Sequence, residues 1–197
     1  MRVKAEGMGF FDDLPVPTEP RYRPRRWPHP WGPPEAEFPG IAPINTLQFE
    51  RSEQAAIAIT GISAYAAGFE IFVTDRIRPE IQAVLDRMPD ASPGGMSAAL
   101  RSFHLGLQFS DGNKVISGGL YLGPYPDSEP TGPILRLIGG DTQFSRWWAW
   151  PLPPGGPLEL VCEWPTFGIA ETRVGIDAQL ILDAARRSVQ LWPEDEG

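Results

Sequence analysis

Chemically reactive side chains are scarce in this chain: cysteine occurs once and histidine twice in 197 residues. The lone Cys162 excludes an intramolecular disulfide and fits a reducing compartment. There is no Cys-x-x-Cys and no His-x-x-x-His, so the usual zinc spacings are absent, and no metal or other cofactor is expected. Gly118-Gly119 and Gly139-Gly140 lack the Lys-Ser/Thr that would follow in a phosphate-binding loop. No apolar run approaches the roughly 18 residues of a membrane span, so no membrane partner is expected. Met1-Arg2-Val3-Lys4 leads into Glu6 and Gly7 rather than the apolar stretch of a secretion signal, which makes the cytoplasm the expected location. Excess positive charge is missing too. The formal net charge is −8, and residues 1–40 balance six basic against six acidic groups, so the body carries the negative charge. Phosphate backbones reward basic surfaces, which argues against nucleic acid as a partner.

What the chain has in quantity is proline, 23 residues, and glycine, 21 residues. Nine of the prolines fall within residues 1–40. Proline fixes φ and biases its predecessor toward extended backbone, so this stretch reads as an arm with polyproline II character over Pro24–Pro34. It also carries Phe10, Phe11, Tyr22, Trp27, Trp31 and Phe38. Disordered tails are poor in aromatics, so the arm is expected to dock, on its own domain or on a partner. Arg21, Tyr22, Arg25, Trp27 and Trp31 are its candidate contacts. The boundaries that follow are an extended arm over 1–40 and a folded domain over 41–197.

Beyond the arm the pattern is β. Thr46–Glu50 alternates apolar and polar, and Gln54–Ile62 is small or β-branched throughout. That second run places Ile57 and Ile59 on one face and Ala56, Ala58, Thr60 and Ile62 on the other. Phe69–Ile77 carries Phe69, Ile71, Val73 and Ile77 on one side and Glu70, Phe72, Thr74 and Arg76 on the other, the period of a half-buried strand. Pro79 opens a short helix with Ile81, Val84, Leu85 and Met88 at helical spacing. Phe103–Phe109 alternates cleanly, and Asp111-Gly112 predicts a tight turn into a returning strand over 114–117. Further strands are expected over 134–138, 146–150, 158–163 and 172–176. Asp177 then caps a final helix with Leu180, Ile181, Ala184, Ala185 and Val189 as its apolar stripe, ended by Pro193. The sum is a mainly β chain: an antiparallel β-sandwich, jelly-roll or immunoglobulin-like, of about eight strands with a C-terminal α-helix.

The segment Trp148-Ala149-Trp150-Pro151-Leu152-Pro153-Pro154, with Gly156-Pro157-Leu158, Val161-Cys162-Glu163-Trp164-Pro165 and the closing Leu191-Trp192-Pro193, resembles an uncharacterised family of hypothetical actinobacterial proteins. The resemblance extends to Ala64-Tyr65, Gly68-Phe69-Glu70 and Gln108–Gly112. That family has no established activity, so the resemblance assigns no residue a role. Where such proteins have a long glycine run, this chain has only Gly139-Gly140-Asp141.

Candidate chemistry centres on the tryptophans. Alternation puts Trp148 and Trp150 on one face roughly 7 Å apart and Trp147 on the other. Two exposed indoles form a stacking surface for a sugar or a proline-rich peptide; buried, they are core. Pro151 and Pro154 match a Pro-x-x-Pro spacing, but the strands on either side make a rigid connection the simpler reading. Cys162 with His104 is the one Cys–His pair outside the arm, and Cys162 reads as a small core residue. Glu159 and Glu163 share a strand face with Val161, as paired carboxylates or as a solvated face. The function expected is a non-enzymatic protein-interaction or scaffolding domain whose partner is another protein or a second copy, engaged through the arm. The alternative is a carbohydrate- or small-ligand-binding, or hydrolytic, sandwich using the Trp148/Trp150 face.

Overall fold

The computed structural model describes residues 29–88, 102–117, 128–140 and 143–192. Two antiparallel sheets pack face to face. The larger is built from β2 (Gly40–Ile41), β3 (Leu47–Arg51), β4 (Ala55–Ala64), β5 (Phe69–Ile77), β8 (Ile134–Gly140) and β9 (Phe144–Trp150). Its order is β2-β4-β5-β9-β8, with β3 pairing the same β4. The smaller sheet contains β6 (His104–Gln108), β7 (Lys114–Ile116), β10 (Pro157–Trp164) and β11 (Ile169–Asp177), in the order β11-β10-β6-β7. β1 (Glu37–Phe38) and β12 (Val189–Gln190) form a separate two-stranded ribbon. The core lies between the sheets: Ile57, Ile59, Ile62, Ile71 and Trp147 from one meet Leu105, Leu107, Leu158, Leu160 and Trp164 from the other. This is the antiparallel, mainly β sandwich with a C-terminal helix that the strand pattern predicts.

The local signals explain where the elements fall. β5 occupies the alternating run, and Gly112 supplies the positive φ (86°) of the turn between β6 and β7. Asp111 fixes that turn by accepting from the Asn113 backbone N–H at 3.0 Å. The prolines after Trp150 make the connection by which the chain crosses from β9 in one sheet to β10 in the other.

Three expectations are corrected. Ile62 faces inward with Ile57 and Ile59, not outward, because the pairing of β4 with β5 slips between Ile59 and Gly61 and the extra residue reverses the phase. Helix α1 (Pro79–Leu85) buries Leu85, with Ile81 partly covered, while Val84 and Met88 are exposed; the helix ends too soon to use the wider stripe. The final helix, α2 (Gln179–Ala185), is also shorter than predicted. The N-cap is Ala178 and not Asp177, which ends β11 and accepts from the Gln179 N–H at 2.9 Å from one position earlier; Ile181, Ala184 and Ala185 are buried. Val189, however, is not on the helix but in β12, where it pairs with Phe38. A β-branched residue gains more from that strand partner than from another helical turn.

The arm enters the fold before Ile41. Trp31, Gly32 and Pro33 are buried, Phe38 pairs with Val189, and Gly40-Ile41 pair with Ser63-Ala64.

Candidate functional site

On the outer face of the large sheet, one row of registered residues runs Ile41, Ser63, Glu70, Trp148, Arg136 across β2, β4, β5, β9 and β8. Trp147 points the other way into the main core, as alternation requires, while Trp148 forms a second apolar cluster with Tyr65 and Ile138. Trp148 is fully buried and its Nε1 donates to the Trp31 backbone carbonyl at 2.7 Å. A buried indole contributes very roughly 4–6 kcal/mol, which explains why the arm covers it. The two-indole stacking surface is therefore not exposed: Trp148 is buried with its Nε1–H on the Trp31 carbonyl, and only Trp150 is half-exposed. Arg21, Tyr22, Arg25 and Trp27 lie outside the described residues.

Beside Trp148 sits a polar cluster that the sequence did not single out. Glu70 is buried and accepts from the Tyr65 hydroxyl at 3.3 Å and the Arg146 guanidinium at 3.2 Å. Its β5 neighbours alternate as in any half-buried strand, and only the pairing of β5 with the distant β9 brings Arg146 near. Burial raises the Glu70 carboxyl above its ordinary value, and Arg146 pulls it back. Burial, reinforced by Glu70, also raises the Tyr65 phenol. A carboxyl that binds its proton more tightly when folded loses stability as pH rises from the unfolded-chain value, about 4.3, until the folded pKa is passed. The Glu70→Gln variant should therefore show a smaller fall in melting temperature over that range than the wild type, in thermal melts at stepped pH. Equal slopes would mean that Glu70 contributes nothing to the pH dependence.

The outer face of the small sheet is polar. His104 Nδ1 and Glu163 Oε1 are 2.7 Å apart, on registered positions of β6 and β10. Arg173 on β11 bonds Glu159 and Gln108 at 2.9 Å each, and Glu171 as well. Between them lies a hollow of about 290 Å³ with Gly106 and Val161 among its lining residues. Glu159 and Glu163 do share this face, but four residues of strand separate them by roughly 13 Å, beyond the 5–9.5 Å of a glycosidase pair. Each instead pairs with its own cation or imidazole. Cys162 points into the core away from His104's face, and burial pushes its thiol up to about 12. The thiolate is the reactive form, so Cys162 should resist thiol reagents in the native state and react once denaturant unfolds the chain; rapid native labelling would contradict its placement.

No family model, curated protein or solved structure matches this chain. No described helix is long and apolar enough to cross a membrane, and among the described residues no cluster of three metal-ligating side chains occurs.

The remaining distinctive surface is the ribbon. Phe38 and Val189, cross-strand partners, are 63% and 55% exposed, and Ile41 and Trp192 are each 63% exposed. Single exposed apolar residues are ordinary; four on one ribbon and its immediate continuations are not.

Proposed function

We propose that this chain is a non-enzymatic protein-interaction domain that self-associates through its ribbon. The observation that carries this reading is the exposure of Phe38, Ile41, Val189 and Trp192. Phe38 and Val189 are registered partners, so their exposed side chains sit together on one side of the ribbon and offer an apolar nucleus for the ~800 Å² that each partner buries in a standard interface. A two-stranded ribbon also has few partners for its backbone edges, and joining two of them across a two-fold axis makes a closed pair. Residues 1–40 contribute β1 to this surface, which supports a part for the arm in association. The double substitution Phe38→Lys/Val189→Lys should convert a dimer to a monomer while leaving the near-ultraviolet signal of the buried tryptophans unchanged. A dimer that survives the double substitution would move the contact elsewhere.

The second reading, a small polar ligand bound to the sandwich, is favoured by the hollow beside the His104–Glu163 pair. Chemical-shift changes confined to His104, Gln108 and Glu163 on titration with a panel of glycans and amino acids would support it.

A further inference from the structure

A third surface feature lies at the end of β9, where Trp150, Phe109, Leu152, Pro130 and Pro133 line a groove of about 240 Å³ with Asp111 at its edge. We propose that this groove binds a proline-rich, basic peptide in the polyproline II conformation. The inference is independent of self-association through the ribbon.

Three observations lead there. The groove is lined mostly by aromatic, aliphatic and proline side chains, the kind of surface that receives a preformed polyproline helix. Trp150 is half-exposed, and among the described residues none accepts a hydrogen bond from its indole N–H. A polyproline chain has no backbone donors but a full set of free carbonyls, so an indole N–H beside an apolar groove is the complementary group. The charge also has the right sign. Asp111 lines the groove, Glu129 is exposed next to the lining Pro130, and the whole chain is at −8. A peptide carrying arginine or lysine beside its prolines is drawn to that edge.

A sugar fits less well. Sugars need several planar polar groups free to bond hydroxyls. Here the two polar side chains of the turn satisfy each other, with Asn113 Nδ2 donating to Asp111 Oδ2 at 2.9 Å and Asn113 N to Asp111 Oδ1 at 3.0 Å. What remains for a ligand is shape, the Trp150 indole donor, the Thr131 hydroxyl and negative charge.

The test titrates the full chain, by heteronuclear NMR, with a synthetic peptide of ten prolines followed by two arginines. A glycine-serine peptide ending in the same two arginines and a soluble oligosaccharide, cellohexaose, serve as comparisons. The expected result is a shift of the Trp150 indole N–H with the proline peptide alone. Thr131→Lys, an exposed change on the groove wall that adds a repelling charge without touching the core, should weaken binding at least tenfold. Trp150→Leu should weaken it similarly, with folding checked by the Trp147 and Trp164 signals. The proposal is overturned if the proline peptide causes no shift, if both variants bind it as the wild type does, or if the glycine-serine peptide binds equally. Binding of cellohexaose in place of the peptide overturns it in favour of a sugar site.

Discussion

Trp31→Ala should lower the unfolding free energy by about 3–5 kcal/mol, the cost of truncating a large buried aromatic. Trp31 is only 8% exposed, and its segment closes the outer face of the large sheet over Trp148. The substitution removes the indole and loosens the backbone carbonyl that accepts from Trp148 Nε1, so a buried donor loses its partner as well. Trp31→Phe separates these effects. The Trp31 indole Nε1 is itself buried without a partner among the described residues, so phenylalanine removes an unsatisfied donor while keeping most of the apolar contact. It should cost much less than alanine. Denaturant unfolding of the three proteins decides the matter: alanine and phenylalanine equally mild would mean that the segment is not part of the cooperative fold.

The second large effect is expected at Gly40. A Cβ built there would lie 1.9 Å from the Ala184 carbonyl oxygen, a backbone atom that no rotamer can move. β2 and the end of α2 are pressed together at this point, and Arg187 adds a bond from its guanidinium to the Ile41 carbonyl at 2.9 Å. Gly40→Ala must push the helix from the strand, at a cost of about 3 kcal/mol. Gly175→Ala is the control, because nothing lies within 4 Å of the added methyl; it should change stability by less than about 0.5 kcal/mol. Similar stabilities of the two variants, measured by denaturant unfolding, would mean that the α2 contact does not set the cost; neither glycine has a positive φ that would itself penalise alanine.

The sequence made local structure legible and distant pairing much less so. The Phe69–Ile77 run, the Asp111-Gly112 turn and the proline at the start of α1 each carry their instruction within a few residues, and the strands and helix form where these signals lie. The bulge in β4 has only a faint local mark, the lone Gly61 inside the strand. It appears only once β4 is set against β5, and it turns Ile62 inward. β1 and β12 are two residues each and lie about 150 positions apart in sequence, so neither had a pattern to read. The same limit governed the site. Glu70 reads as an ordinary outward residue until strand order places Arg146 and Trp148 beside it. Trp148 and Trp150 do alternate away from Trp147 as expected, but whether an outer face is open depends on what folds over it. Trp31, assigned to an arm, brings the carbonyl that meets the Trp148 Nε1–H, and Tyr65 and Ile138 pack around the ring. The separation of Glu159 and Glu163, by contrast, follows from strand rise alone.

The central claim, association through the β1–β12 ribbon, is tested most directly by sedimentation equilibrium of the full-length wild-type chain across a concentration series. The account predicts a mass rising to twice the 21.7 kDa of one chain and going no further, because a two-fold ribbon contact closes on itself. A mass that stays at one chain at every concentration would contradict it.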